Sequence, residues 1–194
     1  FMIFRFFAKG LWWQAHPFSL SMVPDGKHIR ITVKELGDFT KLLKNLKPGT
    51  KIMIEGPYGV FTDFFGIADR VLLIAGGIGI TPIRSLSEQL AKAGKNVEIL
   101  YGNRTREDIV FWDELNELAA GMENVRLTHV LSQDESFEGE KGRIDAERIE
   151  RLVPDVAQRE VYVCGPIPMM EAVVQAVKGL GVAPERVHYE KFEL

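Results

Sequence analysis

The feature that most constrains this chain is a change of pattern near residue 69. Arg70-Val71-Leu72-Leu73-Ile74-Ala75 is an unbroken aliphatic run. A strand with one wet face would alternate, so the run predicts a strand covered on both faces. Three glycines follow within residues 76–79, and helical spacing then runs over 81–93. The pattern repeats downstream. Strands are predicted at 97–101, 125–131 and 161–164, with helices at 109–120, 145–152 and 168–180. Strands alternating with helices imply a doubly wound parallel sheet with helices on both faces. This α/β unit is assigned to residues 65–194.

Residues 1–64 read differently. Short β segments are predicted at 1–7, 16–22, 28–34 and 51–56, punctuated by Pro24-Asp25-Gly26 and Pro48-Gly49. One short helix is predicted over 39–46. Charge divides at the same place, with nine basic and five acidic residues in 1–64 against 15 and 22 in 65–194. The resulting net charge of −3 argues against general nucleic-acid binding. Lys41, Lys44, Lys47 and Lys51 read as a solvated face, with an anionic surface or acidic partner as the alternative. The single cysteine, Cys164, excludes an internal disulfide framework, a four-cysteine iron–sulfur cluster and a cysteine-rich zinc site within the chain, and no metal site is expected. No apolar run is long enough to span a membrane. The chain opens on Phe1-Met2-Ile3-Phe4 without an initiator Met. This is read as a trimmed start, with early β strands missing from the first unit.

Several short segments carry candidate chemistry. Ala75-Gly76-Gly77-Ile78-Gly79-Ile80-Thr81-Pro82 leaves a buried strand and enters a helix. Its glycines permit close backbone approach, and Thr81 and Pro82 suit a helix cap and first turn. The helix N-terminus is then an anion site, although the segment is not the G-x-G-x-x-G fingerprint. Taken alone, such a turn is also compatible with a purely structural role. Cys164-Gly165-Pro166-Ile167-Pro168-Met169 leaves another strand at the equivalent end of the sheet, where ligands bind. A lone cysteine there reads equally well as a small buried hydrophobe. In the first unit, His16-Pro17-Phe18-Ser19 precedes a helix start at Gly37-Asp38-Phe39-Thr40, and Gly56-Pro57-Tyr58-Gly59 closes the last β segment.

In this order the motifs HPFS, GDFT, GPYGVF, AGGIGITP, YGNRT and CGP resemble those of the ferredoxin–NADP⁺ reductase superfamily, over nearly the whole chain. The resemblance implies a partial antiparallel FAD-binding barrel followed by an NAD(P)-binding domain. His16 stands where the superfamily usually has Arg, and His-Pro-Phe-Ser resembles the ferric reductase and NADPH oxidase branch. By resemblance, Phe18 lies against the isoalloxazine and Ser19 bonds near flavin N5. His16 and the 37–40 helix start, with Gly37, Phe39 and Thr40, hold the FAD phosphates. Gly76, Gly77, Gly79 and Thr81 cradle the dinucleotide pyrophosphate. Cys164, Gly165 and Pro166 border the nicotinamide. Pro17, Pro82 and Met169 flank these motifs and are counted with them. Phe192 is the expected aromatic cover of the flavin, with Tyr189 as competitor, and Ser19, Cys164 and Phe192 are the expected catalytic set. Glu190 is placed near the flavin or, more simply, on the surface.

Asn103 and Arg104 follow the strand end where the adenosine ribose should lie, and Arg104 and Arg106 lean the nucleotide choice to NADPH. The expected function is an oxidoreductase that takes hydride from NAD(P)H onto FAD. It then passes single electrons to a haem-containing transmembrane domain of the same parent chain, or to another electron-accepting protein. The expected location is cytoplasmic, at the membrane face in the parent protein. The alternatives are a soluble ferredoxin- or monooxygenase-type reductase and, outside enzymology, a nucleotide-sensing domain.

Overall fold

The computed structural model describes residues 1–59, 61 and 68–190. Two sheets organise it. Strands β1 (Met2–Phe6), β2 (His16–Phe18) and β3 (Ile52–Glu55) form an antiparallel sheet in the order β2-β1-β3. Helix α1 (Asp38–Leu43) lies in the excursion before β3. Phe4, Phe6 and Leu11 are buried there, with Phe18, Phe39 and Leu43 packed around them.

The predicted strand at 28–34 does not form. Its only ladder contact among the described residues is an isolated antiparallel bridge, Leu20 to Ile31. The alternating apolar residues instead line an open groove of about 450 Å³, where Ile29, Ile31 and Val33 face Phe4, Phe6, Ile52 and Ile54. One face of the segment is apolar as the alternation implies, but among the described residues no neighbouring backbone completes a ladder. The strand predicted over 16–22 shortens to three residues for the same reason.

The second sheet is parallel throughout and six-stranded, in the order β7-β6-β5-β4-β8-β9. Its strands are β4 (Arg70–Gly76), β5 (Asn96–Asn103), β6 (Val125–Leu131), β7 (Glu140–Lys141), β8 (Glu160–Cys164) and β9 (Val187–Tyr189). Helices α2 (Ile80–Lys92), α3 (Trp112–Gly121), α4 (Ala146–Leu152) and α5 (Ile167–Gly179) connect them. Alternate residues of the aliphatic run serve opposite faces. Val71, Leu73 and Ala75 pack with Ile80, Ile83, Leu86 and Leu115 on one side. Leu72 and Ile74 pack with Ile149, Met170, Val173 and Val177 on the other.

Chain order runs outward from β4 through β5, β6 and β7, then returns to β4's opposite edge with β8 and β9. The strand order therefore reverses between β4 and β8, and helices leave on opposite faces at that point. Such a reversal opens a crevice at the carboxyl ends of the two strands. β7 and β9 are two and three residues long, too short for a period-based reading to find. Among the described residues no helix is long and apolar enough to cross a membrane.

Candidate functional site

The crevice is built from two glycine-containing turns pressed together. Ala75 pairs with Cys164 across the β4–β8 ladder, so the turns that follow share one strand end. A Cβ on Gly79 would lie 2.3 Å from the Cys164 carbonyl oxygen. One on Gly76 would lie 2.2 Å from the Met169 sulfur, and one on Gly165 would lie 3.1 Å from the Gly76 Cα. These three glycines let the loops touch. Gly77 differs, with φ +51° and no atom within 4 Å of the position a Cβ would take. It is the one residue of the turn that needs the left-handed region and faces open space.

The expected Thr81 cap does not form. The glycine turn already winds as a short 3-10 segment, so α2 begins one residue early and Gly79 occupies the cap position without a side-chain bond. Thr81 is consequently inside the helix, where its hydroxyl donates to the Ile78 carbonyl at 3.1 Å. The start of this 13-residue helix therefore has no side-chain cap, and the Ile80 N–H is bonded within the glycine turn, to the Gly77 and Ile78 carbonyls.

On the neighbouring strand, Tyr101 braces the turn from below. Its hydroxyl donates to the Gly77 carbonyl at 3.0 Å and accepts from the Val110 N–H at 3.3 Å. Burial pushes this phenol up to about 12, so it stays a neutral donor. Two residues later, the polar atoms of the Asn103 amide are buried, and the Tyr101 hydroxyl is the polar group beside them. A polar ligand group would add partners to this buried amide. Beside it, Arg104 is exposed, while the Arg106 guanidinium lies 4.5 Å over the Trp112 ring. Trp112 in turn stacks on buried His129 at 4.4 Å.

In the β unit, the His16 ring stacks on Phe39 at 3.7 Å, and Phe18 lies 6.5 Å from the same ring. The HPFS segment and the 37–40 helix start are thus brought together. Burial lowers the His16 pKa, and its Nε2 faces the Gln14 Oε1 at 2.9 Å. At neutral pH His16 therefore offers a hydrogen bond and an aromatic face, but no positive charge. The Thr40 hydroxyl is used locally, accepting from the Leu36 N–H at 2.7 Å and donating to the Gly37 carbonyl. Ser19 is half-buried, and its hydroxyl has no hydrogen bond among the described residues. Trp12 and Trp13 sit edge to face on the surface.

Cys164 is 1% exposed, and burial, followed by the negative charge of Glu190, pushes its thiol up to about 12. What it presents to Gly79 is its carbonyl, while the sulfur belongs to the core. Glu190 reaches the first unit, where its Oε1 accepts from the Phe61 N–H at 3.3 Å and lies over Gly59. Tyr189 ends β9 and is exposed. Phe192 and the expected boundary at 64 fall outside the described residues. Among the described residues no cluster of His, Cys, Asp or Glu could hold a metal ion.

Comparison with known proteins decides the family. Residues 73–175 match the oxidoreductase NAD-binding domain family, and residues 1–62 match an FAD-binding domain family. The chain belongs to the ferredoxin reductase-like superfamily. It carries the FAD-binding and NAD-binding domains of an FAD-dependent NAD(P)H oxidoreductase. Among curated relatives it is 36% identical over 172 residues to a glycine betaine monooxygenase reductase subunit from Chromohalobacter salexigens, covering 84% of this chain and 46% of the relative. It is 32% identical over 189 residues to ferredoxin–NADP reductase B of Sorangium cellulosum, covering 91% of this chain and 77% of that protein. The solved FAD/NAD-binding domain of a Vibrio cholerae nitric oxide dioxygenase superposes with a TM-score of 0.85 at 26% identity, over 98% of this chain and 83% of that one. The chain spans less than half the length of the monooxygenase reductase subunit it matches.

Proposed function

We propose that this module serves as a reductase component, taking reducing equivalents from NAD(P)H and delivering electrons singly to a separate electron-accepting protein of the oxygenase type. The observation that carries the reading is the crevice at the β4–β8 reversal. There the open face of Gly77, the start of α2 and the buried Asn103 amide lie at the carboxyl ends of adjacent parallel strands. That set fits the pyrophosphate and ribose of a dinucleotide. The side-chain-free turn lets phosphate oxygens approach the backbone, and Tyr101 keeps the turn from collapsing into the crevice. Cys164 and Gly165 form the floor on which the nicotinamide end would rest, and Met169 and Pro166 exclude water from its side.

In the first unit, Phe18 and the His16–Phe39 stack offer an aromatic surface suited to a flavin, with the Ser19 hydroxyl free to bond its edge. The flavin supplies the conversion of a two-electron donor into single-electron delivery. The protein's part is positioning and exclusion of water. Phe192, with Tyr189 as alternative, remains the proposed aromatic cover. Arg104, exposed beside Asn103, favours NADPH over NADH.

The acceptor is the finer point. The oxygenase reductase subunits among the relatives support a partner protein, with the cytoplasm as its location. The His16-Pro17-Phe18-Ser19 sequence supports a second reading, a haem in a membrane domain of the parent protein. Purified chain supplied with FAD should oxidise NADPH with ferricyanide as acceptor, with a higher kcat/KM for NADPH than for NADH. Absence of NAD(P)H oxidation with saturating FAD would overturn the reductase reading. Reduction of a detergent-solubilised b-type haem domain, with no reduction of a ferredoxin or oxygenase partner, would select the membrane acceptor.

A further inference from the structure

We propose that Arg30 is a positioning residue that sets the alignment of the flavin unit against the dinucleotide unit, an inference that rests on the reductase reading above. Arg30 follows a loop of the first unit and is anchored there by several bonds to one residue. Its Nη2 donates to the Ser21 carbonyl at 2.7 Å, its Nε donates to the Ser21 hydroxyl at 3.2 Å, and its own carbonyl accepts from the Ser21 N–H at 2.8 Å. Ser21 is fully buried and stands two residues after Ser19 of the HPFS segment. The guanidinium is therefore fixed to the strand end that carries the expected flavin contacts.

The other edge of the same guanidinium crosses to the second unit. Nη1 and Nη2 each donate to one oxygen of Glu114 at 2.8 Å, a two-bond fork on the first turn of α3. A fork of this kind fixes direction as well as distance, which a lysine does not. Glu114 also accepts from Arg84 of α2 at 3.2 Å. Helix α2 starts from the glycine turn, and α3 follows the 103–111 loop that carries Asn103 and Arg104. Glu114 is thus the point where both elements of the nucleotide site are tied together, and Arg30 is what the first unit attaches to it.

Phe111 supplies an independent observation. It caps α3 at φ 62° and ψ 32°, the left-handed region that an aromatic residue rarely enters. Such a conformation persists only where its surroundings enforce it. The Arg30 guanidinium lies 4.9 Å over the Phe111 ring, so the strained residue is held from across the interface. Its remaining surroundings are the core of the second unit, against which it packs. The geometry accounts for why one residue outside the nucleotide site touches a carboxylate, a strained backbone position and the flavin-side strand at once.

The consequence is specific. Loss of Arg30 should leave each unit folded and each ligand site intact while loosening their mutual orientation. A misplacement of about 1 Å between reacting rings costs about 100-fold in rate. Arg30→Ala and Arg30→Lys should therefore lower the limiting rate of flavin reduction by NADPH about 10- to 100-fold, with less than about a threefold change in nucleotide affinity. Stopped-flow absorbance with the full chain and FAD reads both quantities. Residual dipolar couplings of the flavin-free chain supply a second readout, because a shared alignment tensor in the wild type should split into two in Arg30→Ala. Should Arg30→Ala fail to fold, Arg30→Lys keeps the charge and stem and tests the fork alone. Equal limiting rates in wild type and both variants would overturn the proposal, as would a single alignment tensor retained in Arg30→Ala. A loss confined to nucleotide affinity would also overturn it. Failure of the reductase reading looks different, since the wild type itself would then show no flavin reduction while the tensors still split.

Discussion

Replacing Gly79 by alanine isolates the contact on which the crevice depends. The added Cβ would lie 2.3 Å from the Cys164 carbonyl oxygen, 2.5 Å from the Cys164 carbonyl carbon and 2.7 Å from the Gly165 Cα. Ordinary non-bonded contacts lie at about 3.5–4.0 Å, so the turns must part by about 1 Å. All three atoms are backbone at the end of a buried parallel strand, and no side chain can swing aside. Overpacking of this kind costs about 1–3 kcal/mol, and the rigid neighbours place Gly79→Ala near about 3 kcal/mol. For a chain of this size that corresponds to a fall in Tm of roughly 6–12 °C. Gly77→Ala is the control. Its Cβ meets nothing within 4 Å, and only the φ of +51° resists it, a cost of about 1 kcal/mol. The order reverses for nucleotide binding relative to stability, because the Gly77 methyl would stand in the open face where phosphate approaches. Calorimetric unfolding of both variants, with titration of NADP⁺, measures the two effects. The reasoning is refuted if Gly79→Ala unfolds within about 0.5 kcal/mol of wild type, the range of an ordinary surface change. It is equally refuted if Gly77→Ala is the more destabilising of the two.

Other outcomes follow from buried polar groups. Burial, and then the charge of Arg106, lower His129 to about 4 from an ordinary 6.5, so the unfolded chain takes up its proton first as pH falls. Its neutral form supports folding fully above about pH 6.5, and that support is lost between there and about pH 4. The loss is about 3 kcal/mol, which should be missing from the pH profile of His129→Leu in urea titrations. Arg159 is 7% exposed and donates to Asp155 at 2.8 Å, to the Val71 carbonyl at 3.2 Å and to Asn96 at 3.1 Å. Arg159→Ala should cost about 3 kcal/mol by leaving these acceptors without their donor, read by chemical denaturation. Cys164, with its thiol pushed up to about 12, should react with a disulfide reagent under mildly alkaline conditions only at the rate of structural opening. Fast labelling of the folded chain would contradict its placement in the core.

The α/β unit is legible in the sequence because its signals are local and redundant. The run 70–75 is covered on both faces, and the strands predicted at 97–101, 125–131 and 161–164 are each bounded by a helix, whereas β7 and β9 are too short to be read. The β unit is less so. The 28–34 segment alternates as a strand should, yet alternation reports only which face is buried and says nothing about whether a neighbour supplies a ladder. The start of α2 is misplaced by a sequence reading because Thr81 satisfies the preferences of a cap residue. The turn through Gly77 and Gly79 before it winds the chain into helical geometry without needing one. Tertiary geometry overrules a correct local preference there.

The site divides in the same way. Gly76, Gly79, Gly165 and Met169 can be grouped from sequence because two strand ends in a doubly wound sheet must lie together. Their separate duties cannot be assigned, since a glycine that admits a ligand and a glycine that admits a neighbouring loop are the same letter. Only the atoms each Cβ would strike distinguish Gly77 from Gly79. Tyr101 reads as the last residue of a strand, and its bond to the Gly77 carbonyl depends on the stagger of β4 against β5. Arg30 and Glu114 are 84 positions apart, each an ordinary charged residue in its own segment. No periodicity or motif links them, because their pairing is created by how the two units meet. Residues that bind a cofactor leave local marks, since a phosphate demands a turn and a helix start. Residues that align two bound rings leave none, and they become visible only when both sheets are placed side by side.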